Sequence, residues 1–289
     1  MLRSRLLVLP ALAALALTAC GGASEPAAPP GPVADVLIRA AATQTTGAGS
    51  SKFALTGTTA IGGQEVTFAV EGTYDYAQRI GQLSFDVPPA AGQPAGGTIE
   101  QRIIGNDLYL MLPQQPGVFY KLLVSDVAGT LLGNSTDPTV ALQALAGVSD
   151  VKKVGANQVR GIQATHYQGE YDVVQASAKA EGAAKAILDS TLGQFALEKV
   201  PFDAYLDGEG RLVKFEQRLE LPASAQTGGQ ALSSTFSIEL FDFGTPVTVV
   251  APAAESVRDG APLLDALKAA ALAPSAAPTP ASPAASPAG

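Results

Sequence analysis

The residues best suited to acid–base or metal chemistry are few in this sequence. His166 is the only histidine and lies on a predicted strand, while Asp203, Asp207 and Glu209 place three carboxylates close together. A catalytic triad would need a nucleophile and an acid to converge on the histidine, and no Gly-x-Ser-x-Gly elbow occurs. Paired carboxylates can hydrolyse glycosides or hold a cation, but this spacing is not that of an EF-hand loop. We therefore expect a solvated or hydrogen-bonded strand histidine and a charged hairpin tip, with no catalytic residue and no metal site.

The composition excludes further classes of function. One Cys and one His in 289 residues are too few for a disulfide scaffold or a multi-Cys/His zinc site. Because 18 Lys and Arg face 26 Asp and Glu, the net charge is -8, and no basic surface for nucleic acid is expected. The segment Thr45 to Ser51 lacks the Gly-Lys-Ser/Thr ending of a phosphate loop, and no cofactor is expected.

Cys20 is the side chain with the clearest chemical context. Arg3 and Arg5 precede the apolar run Leu6 to Leu17, which is too short to span a bilayer and is typical of a secretory signal. The Leu17-Thr18-Ala19-Cys20 sequence at its end resembles the lipobox of bacterial lipoproteins. The resemblance implies cleavage after residue 19 and an anchor of diacylglycerol, with palmitate, on the Cys20 thiol. Such acyl chains would hold the protein on the extracytoplasmic side of the cell membrane without crossing it. An ordinary secreted protein with a chance cysteine is the alternative.

Composition also divides the remaining chain. Residues 20–32 read as a lipid-anchored tether, because GGASEPAAPPGP has no large apolar side chain. Residues 273–289, APSAAPTPASPAASPAG, cannot form a core for the same reason and are predicted to be disordered. Residues 33–272 remain as one domain, since no Pro/Ser-rich linker divides them.

Alternation with period two dominates this domain and predicts half-buried strands. In the clearest strand, Val213, Phe215, Leu219 and Leu221 form one face, interrupted only by Gln217. Asp207 to Gly210 predicts a tight hairpin between this strand and Pro201 to Leu206. The other strands are predicted at 52–58, 66–70, 83–87, 101–104, 108–112, 118–123, 150–154, 161–171 and 233–243.

Helical patterns are fewer and rich in alanine. They are predicted at Val33 to Gln44, Pro138 to Ala146, Val174 to Leu192 and Ala261 to Ala271. The order of helix, hairpin strands, helices, strands and helix predicts an α+β class, in which an antiparallel sheet is covered on one face by the helices.

Several longer segments resemble the LppX/LprAFG lipoprotein family of the actinobacterial cell envelope. They are ADVLIRAAATQTTGAGSSKFALTG, VEGTYDY, NDLYLML, ATHYQGEYDV and VPFDAYLDGEGRLVKFEQRLEL, in this order after the lipobox. The chain departs from that family in having no Trp, with Phe119 and Tyr120 at the place where one often stands, and in its Pro/Ala/Ser tail.

This resemblance implies a half-barrel, that is, a strongly curved antiparallel sheet with helices on the concave face around a hydrophobic cavity. Family members bind acylated lipids or glycolipids there and are thought to carry them across the periplasm, sometimes beside a membrane exporter. The architecture also resembles that of the LolA/LolB lipoprotein carriers.

A lipid carrier needs a concave apolar surface, because each CH₂ exposed to water costs about 0.8 kcal/mol. The candidates for cavity lining are Val66, Phe68, Val70, Leu83, Phe85, Ile103, Leu108, Leu110, Val213, Phe215, Phe236, Ile238 and Leu240. Each of these residues could instead fill a dry core.

The sequence therefore predicts an envelope lipoprotein that binds a lipid or glycolipid and carries or presents it across the extracytoplasmic space, without being an enzyme. The alternative is a structural or sensory lipoprotein whose filled core serves protein contacts. A lipid hydrolase is a third interpretation that lacks a recognisable site.

Overall fold

A computed structural model describes residues 32–61, 64–87, 96–127, 137–195, 197–224 and 229–272. The predicted signal peptide, Cys20, nearly all of the tether and the tail lie outside these residues. Within them, the predicted α+β class is confirmed: one large, open, curved antiparallel sheet forms a half-barrel, and the helices cover its concave face.

The sheet has twelve described strands. They are β1 Ser50–Ile61, β2 Gln64–Asp75, β3 Ile80–Val87, β4 Gly97–Ile104, β5 Asp107–Met111, β6 Phe119–Leu123, β7 Val148–Val159, β8 Ile162–Asp172, β9 Lys199–Leu206, β10 Leu212–Leu221, β11 Leu232–Phe241 and β12 Val257–Asp259. The described helices are α1 Pro32–Gly47, α2 Thr139–Ala144, α3 Val173–Lys179, α4 Gly182–Phe195 and α5 Ala261–Leu272. None of them is long and apolar enough to cross a membrane.

The strand order is β12-β6-β5-β4-β3-β2-β1-β11-β10-β9-β8-β7. Two runs of antiparallel strands in chain order, β1 to β6 and β7 to β11, meet where β1 pairs with β11, with Lys52 opposite Phe241. Strand β12 was not predicted, because three residues are too short for an alternating pattern, and it pairs parallel to β6. The sheet therefore has its edges at β12 and β7.

Alternating burial places the main core on the concave face. Phe53, Leu55, Val70 and Leu83 are at most 2% exposed there, and α1 contributes Ile38. Each strand of this kind has its other face towards solvent, which is why period two is visible in the sequence.

Three glycines of the sheet lie opposite aromatic residues. Gly57 pairs with Phe68, Gly72 with Phe53, and Gly169 with Phe202. A Cβ on Gly57 would lie 2.2 Å from the Phe68 ring, and one on Gly72 would lie 2.8 Å from Phe53. Each ring therefore occupies the space above its glycine, an arrangement that lets an aromatic side chain lie flat on the sheet.

The predicted helix Val174 to Leu192 is wrong in one respect, because it is two helices. Asp172 accepts a hydrogen bond from the backbone N–H of Gln175 at 2.8 Å and begins α3 as its N-cap. The backbone is extended at Ala180, and Gly182 has a φ of +57°, so α4 starts in a new direction.

A β-bulge also corrects the predicted face of β10. The register against β9 shifts between Leu212 and Lys214, so Leu212 lies in the concave core beside Phe215. Val213 faces the opposite, convex side, where it packs with Val159 and Ala164 in a second, small cluster.

Helix α1 covers the edge strand β7. The Asp35 carboxylate accepts from the backbone N–H of Val151 at 2.9 Å, and Arg39 Nη2 donates to the Val148 carbonyl at 2.8 Å. Two backbone groups that an edge strand would otherwise offer to another chain are thus satisfied within the protein.

Candidate functional site

A cavity of about 270 Å³ lies between the concave face of the sheet and helices α2 and α4. Its floor comes from β1, β2, β10 and β11, the central strands at which the two halves of the sheet meet. The apolar residues around it are Phe68, Pro138, Val140, Ala141, Ala144, Ile187, Leu188, Phe215, Leu219, Leu232, Phe236 and Ile238.

Aromatic packing behind the cavity fixes its wall. Phe215 is 1% exposed and stacks on Phe202, with ring centroids 5.6 Å apart. The Tyr171 ring lies 6.3 Å from that of Phe215. The floor is therefore a rigid surface, since these rings are held by one another as well as by the sheet.

Most polar groups of the lining are already paired with one another. Tyr171 donates its hydroxyl to Gln217 Oε1 at 2.8 Å, and the hydroxyls of Thr59 and Ser234 are 3.0 Å apart. Burial raises the pKa of Tyr171, so this hydroxyl stays protonated as a donor. Groups satisfied in this way do not require a polar partner inside the cavity, which suits an apolar occupant.

Asp137 is the acid in this lining. Its Oδ1 accepts from the Thr139 backbone N–H at 2.8 Å at the start of α2. Burial raises the pKa of Asp137, and the hydrogen bonds from Thr139 and the charge of Arg79 oppose that rise only in part.

The structure distributes the thirteen candidate lining residues over several places. Four of them, Phe68, Phe215, Phe236 and Ile238, lie at the cavity. Val70, Leu83, Ile103, Leu108 and Leu240 belong to the packed core, Phe85 packs against it, and Leu110 is buried next to Leu108 on the same face. Val213 lies on the convex side, and Val66 is on β2 with its side chain outside those described.

Sequence reasoning missed the residues that the helices contribute. Val140, Ala141 and Ala144 of α2 and Ile187 and Leu188 of α4 form the roof of the cavity. Their spacing marks one face of each helix, but both helices are alanine-rich, and the pattern does not indicate which surface they cover.

The residues considered for catalysis have structural partners on the convex side. His166 Nε2 lies 2.6 Å from Asp203 Oδ1, and its ring stacks on Tyr205 with centroids 4.5 Å apart. Asp207 accepts from the backbone N–H groups of Glu209 and Arg211 and so shapes the β9–β10 hairpin. The described residues include no group of three or more His, Cys, Asp or Glu side chains that could hold a metal ion.

Comparisons of the sequence give one curated relative. No family model matches the chain. A stretch of 139 residues is 34% identical to an uncharacterized 31.2 kDa protein in the rplA-rplJ intergenic region of Streptomyces griseus. That stretch is 46% of this chain, and it covers 42% of the relative's length.

Comparisons of the structure give neighbours with TM-scores below 0.5. The chain is similar to LprF from Mycobacterium bovis, with a TM-score of 0.49 and 14% identity over 78% of this chain and 100% of that one. It is similar to the lipoprotein LppX from Mycobacterium tuberculosis, with a TM-score of 0.47 and 16% identity over 76% and 99% of the two chains. A LolA superfamily protein from Nitrosomonas europaea has a TM-score of 0.33 and 12% identity over 72% and 94%.

Proposed function

We propose that this protein is an envelope lipoprotein that binds a lipid or glycolipid between its sheet and its helices and carries or presents it across the extracytoplasmic space. The observation that carries the proposal is the apolar cavity over the centre of the sheet, with a rigid aromatic floor and polar groups paired among themselves. An acyl chain placed there would be removed from water at about 0.8 kcal/mol per CH₂.

The size of the cavity sets how a lipid would enter. A volume of about 270 Å³ is a little below the ~300–1,000 Å³ typical of small-molecule sites. It is therefore sufficient for part of one acyl chain, and a whole diacyl lipid requires α2 and α4 to move away from the sheet. The floor is held by the strands on either side, so the alanine-rich roof is the part that moves.

The proposal includes the anchor and a partner. Diacylglycerol on Cys20 would keep the protein at the membrane, and residues 21–32 would set its distance from the lipid surface. A lipid carrier held in this way can receive its ligand from a membrane exporter in the same bilayer.

Narrowing the cavity tests the function. We expect Val140→Phe, which adds a ring at the roof, to weaken binding of dioctanoylglycerol at least tenfold, because the ring occupies the volume that an acyl chain needs. The matched control is Val154→Phe, at a position of β7 that is 49% exposed. Affinity is measured by native mass spectrometry on the full chain carrying Cys20→Ser, so that bound lipid cannot be mistaken for the anchor, and thermal melting checks the fold of each variant.

Two results would overturn the proposal. The first is protein carrying Cys20→Ser alone that purifies without lipid and takes up no dioctanoylglycerol, which would favour a structural or sensory lipoprotein acting through protein contacts. The second is equal loss of binding in both phenylalanine variants, because uptake would then not depend on this cavity.

A further inference from the structure

A second, more polar cavity lies on the other side of α2. It is a crevice of about 690 Å³ between α1, the β2–β3 turn, α2 and the turn from α3 to α4. Three cationic side chains line it, namely Arg39, Arg79 and Lys179. This concentration of positive charge stands out in a chain of net charge -8.

The cations of the crevice are weakly neutralised. Arg39 lies 3.6 Å from Asp35, and Lys179 donates to the Ala146 carbonyl at 2.9 Å. Among the described residues, neither Arg79 nor Lys179 is within 4.0 Å of a carboxylate oxygen. The Arg79 guanidinium hydrogen-bonds the Tyr74 hydroxyl and its charge acts on Asp137, so its remaining N–H groups and the Lys179 ammonium are the donors left for an anion.

The start of α4 adds to the positive field. Arg79 Nη2 is 3.5 Å from the position that a Cβ would take on Gly182, the first residue of α4. The N-terminus of this 14-residue helix carries partial positive charge. Arg79 and the helix N-terminus therefore act on the same part of the crevice.

Two carboxylates also line the crevice, Asp137 and Glu181. Asp137 is buried and already accepts from the Thr139 backbone N–H, and Glu181 is exposed. Because Asp35 offsets Arg39, the positive charge that faces an anion comes from Arg79 and Lys179, beside the buried Asp137 and the exposed Glu181.

The crevice and the apolar cavity meet at Asp137, which lines both. Helix α2 separates them elsewhere, with Val140, Ala141 and Ala144 towards the apolar cavity and Thr139, Leu142 and Gln143 towards the crevice. An amphipathic molecule that straddles this helix would have its apolar part on one side and its charged part on the other.

We infer that the crevice binds the phosphate group of an anionic lipid whose acyl chain enters the neighbouring cavity, with Arg79 and Lys179 as the principal ligands. This inference rests on the proposed function, because it requires the apolar cavity to take an acyl chain. It narrows the ligand class from lipids in general to phospholipids and phosphorylated glycolipids.

The test compares three probes on the full chain carrying Cys20→Ser: dihexanoyl phosphatidic acid, dihexanoylglycerol and inorganic phosphate. Wild-type protein should bind phosphatidic acid at least tenfold more tightly than dihexanoylglycerol. The double variant Arg79→Gln/Lys179→Gln should lose this preference and keep its affinity for dihexanoylglycerol. The matched control is Lys152→Gln/Lys153→Gln, which removes the same charge from exposed positions of β7 and should behave like wild type.

Each contrary result has a distinct meaning. If dihexanoylglycerol binds but phosphatidic acid binds no more tightly, or if the double variant keeps the preference, the crevice is not the headgroup site and lipid binding stands. If inorganic phosphate binds as tightly as phosphatidic acid while dihexanoylglycerol does not bind, the site takes a soluble anion, and both the headgroup assignment and the lipid function fail. If no probe binds, both fail as well.

Discussion

Asp137 brings a carboxylate into the wall shared by the cavity and the crevice, and its titration should be visible in the stability of the protein. Burial raises its pKa in the folded state, so the unfolded chain loses this proton at a lower pH than the folded chain does. The contribution of Asp137 is therefore most favourable below its unfolded pKa and is lost as pH rises through its folded pKa. The hydrogen bonds from Thr139 and the charge of Arg79 lower the pKa of Asp137, but they do not reverse the direction of the shift.

We expect Asp137→Asn to be more stable than wild type at pH 7 and to lose this advantage near pH 4. The amide oxygen can still accept from the Thr139 N–H, while the cost of a buried charge is removed. Urea denaturation at a series of pH values measures the difference.

A variant whose stability at pH 7 should change in the opposite direction serves as the control. The backbone N–H of Gln175 lowers the pKa of the half-buried Asp172, so Asp172→Asn should be less stable than wild type at pH 7 and converge with it in acid. Parallel pH profiles for the two variants would contradict the role assigned to burial at Asp137.

Among the elements, edge strand β7 depends on α1. Asp35→Ala should lower the free energy of unfolding by about 1–3 kcal/mol, because the N–H of Val151, a residue that is 0% exposed, would lose its acceptor. Asp35→Asn keeps an acceptor oxygen and should retain most of the stability. Urea denaturation measures both, and an alanine variant as stable as the asparagine variant would show that this bond does not secure the edge.

The pairing of β1 with β2 depends on the space above its glycines. Gly72→Ala should cost about 1–3 kcal/mol, since the added Cβ would lie 2.6 Å from the Gln82 carbonyl oxygen and 2.8 Å from the Phe53 ring. Gly155→Ala is the control, because nothing lies within 4 Å of a Cβ there. Thermal melting distinguishes them, and equal melting temperatures would mean that the sheet adjusts freely at Gly72.

For the molecule as a whole, the sequence predicts the strands better than their arrangement. A strand with one solvent-exposed face has apolar and polar residues in alternation, and this pattern is visible in the sequence. The predicted strands are present in the structure as β1 to β11. The pairing of β1 with β11 joins residues far apart in sequence, and no local pattern contains it. The bulge at Val213 moves one side chain to the other face of the sheet, which strict alternation does not predict. The helix break at Ala180 lies inside a continuous alanine-rich segment, so the sequence pattern does not indicate it.

The candidate site likewise contains some residues that the sequence predicts and others that it does not. Phe215 and Ile238 follow from strand alternation, and both lie at the cavity. The roof residues of α2 and α4, and the crevice cations Arg79 and Lys179, come from separate segments that only packing brings together. Their side chains are ordinary for exposed helices and turns, so composition gave no reason to select them.

The junction of β1 with β11 has a consequence for folding. A chain is synthesised from its amino terminus, so β1 to β6 are complete before β11 exists. Until Phe241 has followed, the edge of β1 that β11 will cover has no partner, and the floor of the cavity is incomplete. Pairs so distant in sequence form slowly. The newly made protein therefore passes through a stage in which one half of its sheet has an uncovered edge at β1, until the strands of the other half are complete.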